Sequence, residues 1–312
     1  MNKILIVLLI LLFFAISCHK SSTEPELNLE EEAELIPWDI ITGKLIYSRI
    51  EQSDETWSFL FLVDGAEKKI HLLRKTNTVQ FNNLAMKYDG QIITFTDFDS
   101  YRGKLQLFNI NGDGSNIKQI YVTDAHSGYA AWSQDGHLAF WYNGQSPHVM
   151  EIRVDGKVFF DRKYCAQTRP AWSPVDNYMV LSLHDSSTTG SLFRVALWDT
   201  TYTLLLRTQG RANDEIFLNP IYSPDGSQIA FNKEGNFLGN NSEIWVVNAD
   251  GSQPTRLTSG HYDNYPAWSP DGQYIAFSRG RGNDAHLYLV NVQTHEVKQI
   301  TKKPGQYPCW IP

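Results

Sequence analysis

The sequence predicts an all-β fold: a six-bladed β-propeller of four-stranded antiparallel blades, with the ring closed by the C-terminal strand. Three observations predict it. An aromatic anchor recurs every 40–50 residues, and each repeat carries the same four-strand grammar. The last six residues, "YPCWIP", restart a phrase that runs in full at 265–279 as "YPAWSPDGQYIAFSR". A period of this length without helical apolar spacing signals a propeller or a like array.

The N-terminus reads separately from the repeats. Lys3 precedes an unbroken apolar run over residues 4–14. Eleven residues are too few to span a bilayer but suit the core of a signal peptide. The run ends in "AISC", small residues before Cys18, and resembles the lipobox of bacterial lipoproteins. That resemblance implies a signal peptide at 1–17 and a lipid on Cys18 that anchors the chain to a membrane. With His19 after the cysteine, it implies the cell envelope, at the outer membrane facing periplasm or surface. Residues 18–35, "CHKSSTEPELNLEEEAEL", show no stable apolar face and read as an acidic, solvated tether. Residues 36–312 form the propeller.

Composition narrows the function. The chain is 42% apolar and 13% aromatic, so a large core can be built. Asp and Glu outnumber Lys and Arg by 34 to 27, for a net charge of −7. That balance argues against a nucleic-acid partner, whose phosphates need a basic surface. Besides Cys18, only Cys165 and Cys309 are present. The repeats put them on opposite blades, so two free thiols are expected.

The anchors, in order, are Trp38 (with a gap), Met86, Trp132, Trp172, Tyr222, Trp268 and Trp310. Each but the last is followed by Ser-Pro-Asp-Gly or a relative of it, a type I turn by composition with glycine where the chain turns left-handed. A second strand follows, at 44–50, 91–96, 137–142, 178–183, 228–232 and 274–279. The third strand, as in "EIWVVN", ends in a second turn, usually Asp-Gly, and a short fourth strand such as "TRLT" completes the blade. Six second strands mean six blades. The final "YPCW" then supplies the innermost strand of the first blade, with Trp38 as its competitor. Blades stacked face to face bury one another, so the anchors read first as core between blades.

"PAWSPDGQYIAFSR" and "IWVVNADGSQPTRLT" resemble the repeats of TolB-type, WD40-like β-propellers. The resemblance is close over 213–310, good over 126–182 and in outline over 36–125. It implies a six-bladed ring whose mouth binds a partner protein, and here a protein or peptide ligand at that mouth. In that family an α/β domain precedes the propeller. Residues 18–35 stand in that place here, so no role of that domain carries over.

The residue three before each anchor is expected near the channel mouth. Tyr129, Arg169, Tyr265 and Tyr307, with His126 and His261 further out, are the candidate ligand-binding residues. The reading is a binding scaffold without catalysis, cofactor or metal. No Gly-x-Ser-x-Gly elbow occurs. The alternative is a glycan-binding or metal-dependent polysaccharide lyase-like propeller. It would draw on His126, His184 and His261, which lack tight ligand spacing.

Overall fold

The Ser-Pro-Asp-Gly turns lock the first two strands of a blade together. At residues 269–272 the Gly272 amide donates to the Ser269 carbonyl (2.9 Å). The Ser269 hydroxyl donates to Asp271 Oδ1 (2.6 Å) and accepts from the Tyr274 amide (3.0 Å). Gly272 sits at φ +69°, where a Cβ would be strained. The turn at Ser223 repeats this bonding, with Gly226 at φ +71°.

The computed structural model describes residues 25–52, 55–99, 103–121, 125–143, 150–162, 169–183, 190–208, 215–235, 241–259 and 261–311. The signal segment, Cys18, Cys165 and His184 lie outside them. Six four-stranded antiparallel sheets are formed. The first holds β1 (Lys44–Gln52), β2 (Thr56–Asp64) and β3 (Lys69–Thr76). The second runs β4 (Asn82–Met86), β5 (Ile92–Asp99), β6 (Lys104–Asn111) and β7 (Lys118–Ile120). The third runs β8 (His126–Trp132), β9 (Leu138–Asn143), β10 (Met150–Val154) and β11 (Lys157–Arg162). The fourth runs β12 (Ala171–Trp172), β13 (Tyr178–Leu183), β14 (Ser191–Ala196) and β15 (Tyr202–Leu206). The fifth runs β16 (Glu215–Tyr222), β17 (Gln228–Gly235), β18 (Asn241–Asn248) and β19 (Thr255–Arg256). The sixth runs β20 (Asp263–Trp268), β21 (Tyr274–Arg279), β22 (His286–Asn291) and β23 (Val297–Gln299).

The last strand, β24 (Gln306–Ile311), returns to the first sheet and pairs antiparallel with β1, Trp310 opposite Leu45. The C-terminal strand therefore closes the ring. Trp38 lies in a turn outside this strand and packs against the cluster around Leu45 and Trp310.

Second strands carry the core. β21 is buried at four consecutive positions, because a strand in mid-blade faces a neighbouring blade on each side. One position of this strand fills the inter-blade layers: Tyr47, Phe95, Phe140, Leu181, Phe231 and Phe277, all 0–1% exposed. The outer strands are shorter or more exposed, as β15 and β19 show.

Residues 25–35 depart from the expected solvated tether. Leu29–Ala33 form a short helix, α1, capped by the Asn28 side chain. No apolar periodicity announces it, because tertiary contacts hold it. Glu32 is buried and pairs with buried Arg49, whose guanidinium stacks over Phe59 and Phe61. Lys302 pairs with Glu34 (2.6 Å), and the Lys75 ammonium donates to the Pro25 carbonyl (2.7 Å). No described helix is long and apolar enough to cross a membrane.

Candidate functional site in the central channel

Five of the six innermost strands bend at one place. In five blades the residue three before the anchor takes a left-handed backbone: Asn83, Tyr129, Asn219, Tyr265 and Tyr307, at φ 50–58°. The ladder skips there, as between Gly128 and Ala131 or Asn264 and Ala267. These are β-bulges, which re-aim side chains. Proline follows in "NPIY", "YPAW" and "YPCW", where the skipped pairing leaves no amide bond to lose. The freed amides tie blades together. Tyr129 donates to Thr96 Oγ1 (3.3 Å) and Tyr307 to Ser278 Oγ (3.2 Å).

The bulges gather three of the six sequence-predicted residues, Tyr129, Tyr265 and Tyr307, inside the channel. Tyr265 and Tyr307 have ring centroids 4.5 Å apart and share a hydrogen bond between hydroxyls. Burial pushes the Tyr129 and Tyr307 hydroxyls up to about 12 and Tyr265 well above its ordinary value, so all three stay neutral. Burial also raises Glu234, which lies close enough to bias Tyr129 and Tyr265. His126 and His261 stand apart. His126 is spent locally, its Nδ1 accepting from the Leu105 amide (3.1 Å), and His261 is exposed.

Arg169 differs from its five counterparts. It does not take the left-handed backbone, and its blade has the shortest inner strand, β12. It is 8% exposed and reaches across from the fourth blade to the second, where Nη2 donates to the Leu84 carbonyl (2.8 Å). Among the described residues no carboxylate pairs with it. Burial accordingly lowers its pKa, opposed by the Cys309 thiol and the Tyr265 hydroxyl nearby.

Arg169 forms part of the floor of an apolar funnel of about 230 Å³. The funnel opens on the face of the Ser-Pro-Asp-Gly turns, with Pro174, Pro224 and Pro270 on its rim. All six blades supply the same two columns to its wall. One is the anchors themselves, Met86, Trp132, Trp172, Tyr222, Trp268 and Trp310. The other is the residue before each: Ala85, Ala131, Ala171, Ile221, Ala267 and Cys309. Mostly small residues in that column keep the funnel open, and bulky anchors face it. The anchors also bind neighbouring blades, Trp268 Nε1 donating to the Ile221 carbonyl (3.2 Å) and Trp172 Nε1 to that of Ala131 (3.0 Å). A second cavity of about 240 Å³ lies on the opposite face, bounded by Tyr265, Tyr307 and Arg281 among others. Sequence reasoning assigned the anchors to core alone and missed the funnel, Cys309 and Glu234. The small-residue column before each anchor is the signal that would have found the funnel.

Among the described residues no three His, Cys, Asp or Glu side chains cluster closely enough to hold a metal.

Residues 214–312 match the family model of the TolB beta propeller domain. Over that last third of the chain the repeats are of the TolB propeller type. The Tol-Pal system protein TolB of Zymomonas mobilis is 37% identical over 78 residues, covering 24% of this chain and 17% of that protein. Dipeptidyl-peptidase 5 of Porphyromonas gingivalis is 24% identical over 250 residues, covering 63% of this chain and 36% of the peptidase. The chain thus spans well under half the length of either curated relative. The crystal structure of TolB from Acinetobacter baumannii superposes with a TM-score of 0.70 over 86% of this chain and 67% of that one. At 16% identity the likeness shows the TolB-type fold alone.

Proposed function

We propose that this propeller is a non-catalytic binding scaffold of the cell envelope, lipid-anchored through Cys18, which holds a protein or peptide partner at its channel. The observation that carries the reading is the funnel. Six blades converge on one concave, apolar, aromatic-walled cavity with a single buried charge at its floor. Large aromatic walls with few polar groups suit a protruding apolar segment of a partner. The TolB-type repeats support the same reading by likeness, and the "AISC" segment supports the anchor.

The test is partner capture from solubilised envelope by the wild type and by Ala131→Trp, which fills the funnel from its wall. Reproducible proteins retained by the wild type and lost by the variant are expected. Identical capture by both forms would place binding elsewhere. Mass spectrometry of the intact protein from membranes checks for a diacylglyceryl group on Cys18.

A further inference from the structure

The chemistry of the funnel narrows what enters it. The inference rests on the reading that the funnel is the binding site. Its wall is Trp, Tyr, Pro and Ala, and its floor is cationic. A guanidinium offers five N–H donors in a planar fork. Arg169 directs one nitrogen to the Leu84 carbonyl and, among the described residues, faces no carboxylate. An almost fully buried cation without a counterion is an expense the fold would shed if Arg169 were only filler, since an apolar side chain there avoids it. The neighbouring polar groups do not balance the charge. The Tyr265 hydroxyl and the Cys309 thiol are both held protonated by burial.

We infer that the funnel takes the C-terminal residue of a partner polypeptide, with its α-carboxylate on Arg169 and its apolar side chain against the anchors. Room decides between a chain end and a loop. A cavity of about 230 Å³ holds one residue or two, and Arg169 crosses the channel below it. A loop would bring two chains down and back, burying more amides than the few polar side chains of the wall, Gln134 and Ser223 among them, can bond. A chain end descends once and places its charge at the tip. The carboxylate then meets a planar fork suited to bidentate binding, beside a largely apolar wall.

The experiment uses two pools of octapeptides, random except for a final Phe or Leu, one as free acids and the other amidated. Binding is followed through the funnel tryptophans by fluorescence. Wild type is expected to bind the free-acid pool about tenfold or more tighter than the amide pool, the ratio one charge-assisted pair supports. The ratio should fall to near one in Arg169→Met, which keeps the stem and removes the charge. Ala131→Trp, which leaves Arg169 in place, should abolish binding of both pools and serves if the methionine variant does not fold. Equal binding of acid and amide by wild type overturns the inference, as does an acid preference that survives Arg169→Met. N-acetyl-phenylalanine binding as tightly as the free-acid pool overturns the peptide source and assigns a small carboxylate. If neither pool binds while envelope capture still depends on Ala131, the chain-end inference fails and the funnel reading stands. If capture is also independent of Ala131, both fail.

Discussion

Single residues fix the turns, and two glycines separate the reasons. Gly251 sits at φ +85°, and a Cβ there would lie 2.2 Å from the Leu205 carbonyl oxygen of the preceding blade. Gly103 sits at φ +64° with open space around it. Gly103→Ala should cost only backbone strain, about 1–2 kcal/mol. Gly251→Ala adds a collision with main chain and should cost clearly more, read as the larger drop in denaturant midpoint. Equal losses would mean that the neighbouring blade yields freely. Glycine at Asp-Gly was legible as a turn residue. Its close approach to the next blade was not, because periodicity carries no distance between repeats. Arg169 shows the same limit. Its spacing from Trp172 placed it on the channel, but blade counting does not reveal that it bonds Leu84 across the ring.

At the scale of elements, the second strands and closing strand were legible because the anchor-turn-strand phrase repeats. α1 was not. Five residues with three acidic ones in the first turn have no helical future alone. They fold because buried Glu32 finds Arg49, with Leu29 and Ala33 packed against the cluster around Leu45. Removing Arg49 strands buried Glu32, whereas Arg49 keeps Glu51 (3.0 Å) if Glu32 is lost. Arg49→Met should therefore destabilise by about 3–5 kcal/mol, whereas Glu32→Leu with Arg49→Met should recover most of that. Chemical denaturation of the two variants checks it; a double variant as weak as the single would locate the loss in packing instead. Lys302→Ala, at an exposed pair, should leave the midpoint almost unchanged.

Across the whole molecule, the Asp residues of the turns bind acid stability to the blades. Serine hydroxyls hold Asp113, Asp135, Asp225 and Asp250 below the ordinary carboxylate value. A carboxylate whose pKa is lowered by folding contributes above its unfolded value and loses that contribution as pH falls through the lowered one. Melting temperature should thus fall as pH drops below about 4, each turn adding little because these carboxylates are exposed. Buried Glu234 and Asp97, raised by burial, act in the opposite sense and favour the fold at low pH. Ser→Ala at 133, 223 and 252 together should flatten the acid limb of the curve.

The pairing of β24 with β1 joins positions more than 250 residues apart. Until the final strand arrives, β1 offers a nearly continuously buried strand with one unpaired edge. A second molecule's "YPCWI" fits that edge as well as the chain's own, and at high concentration it reaches the edge without waiting. Refolding from denaturant at rising concentration should therefore yield dimers that have traded last strands, separable by size and stable on dilution. A proline in β1 at Ile46, which faces Cys309, should disable both forms together, since trade and self-closure use one ladder.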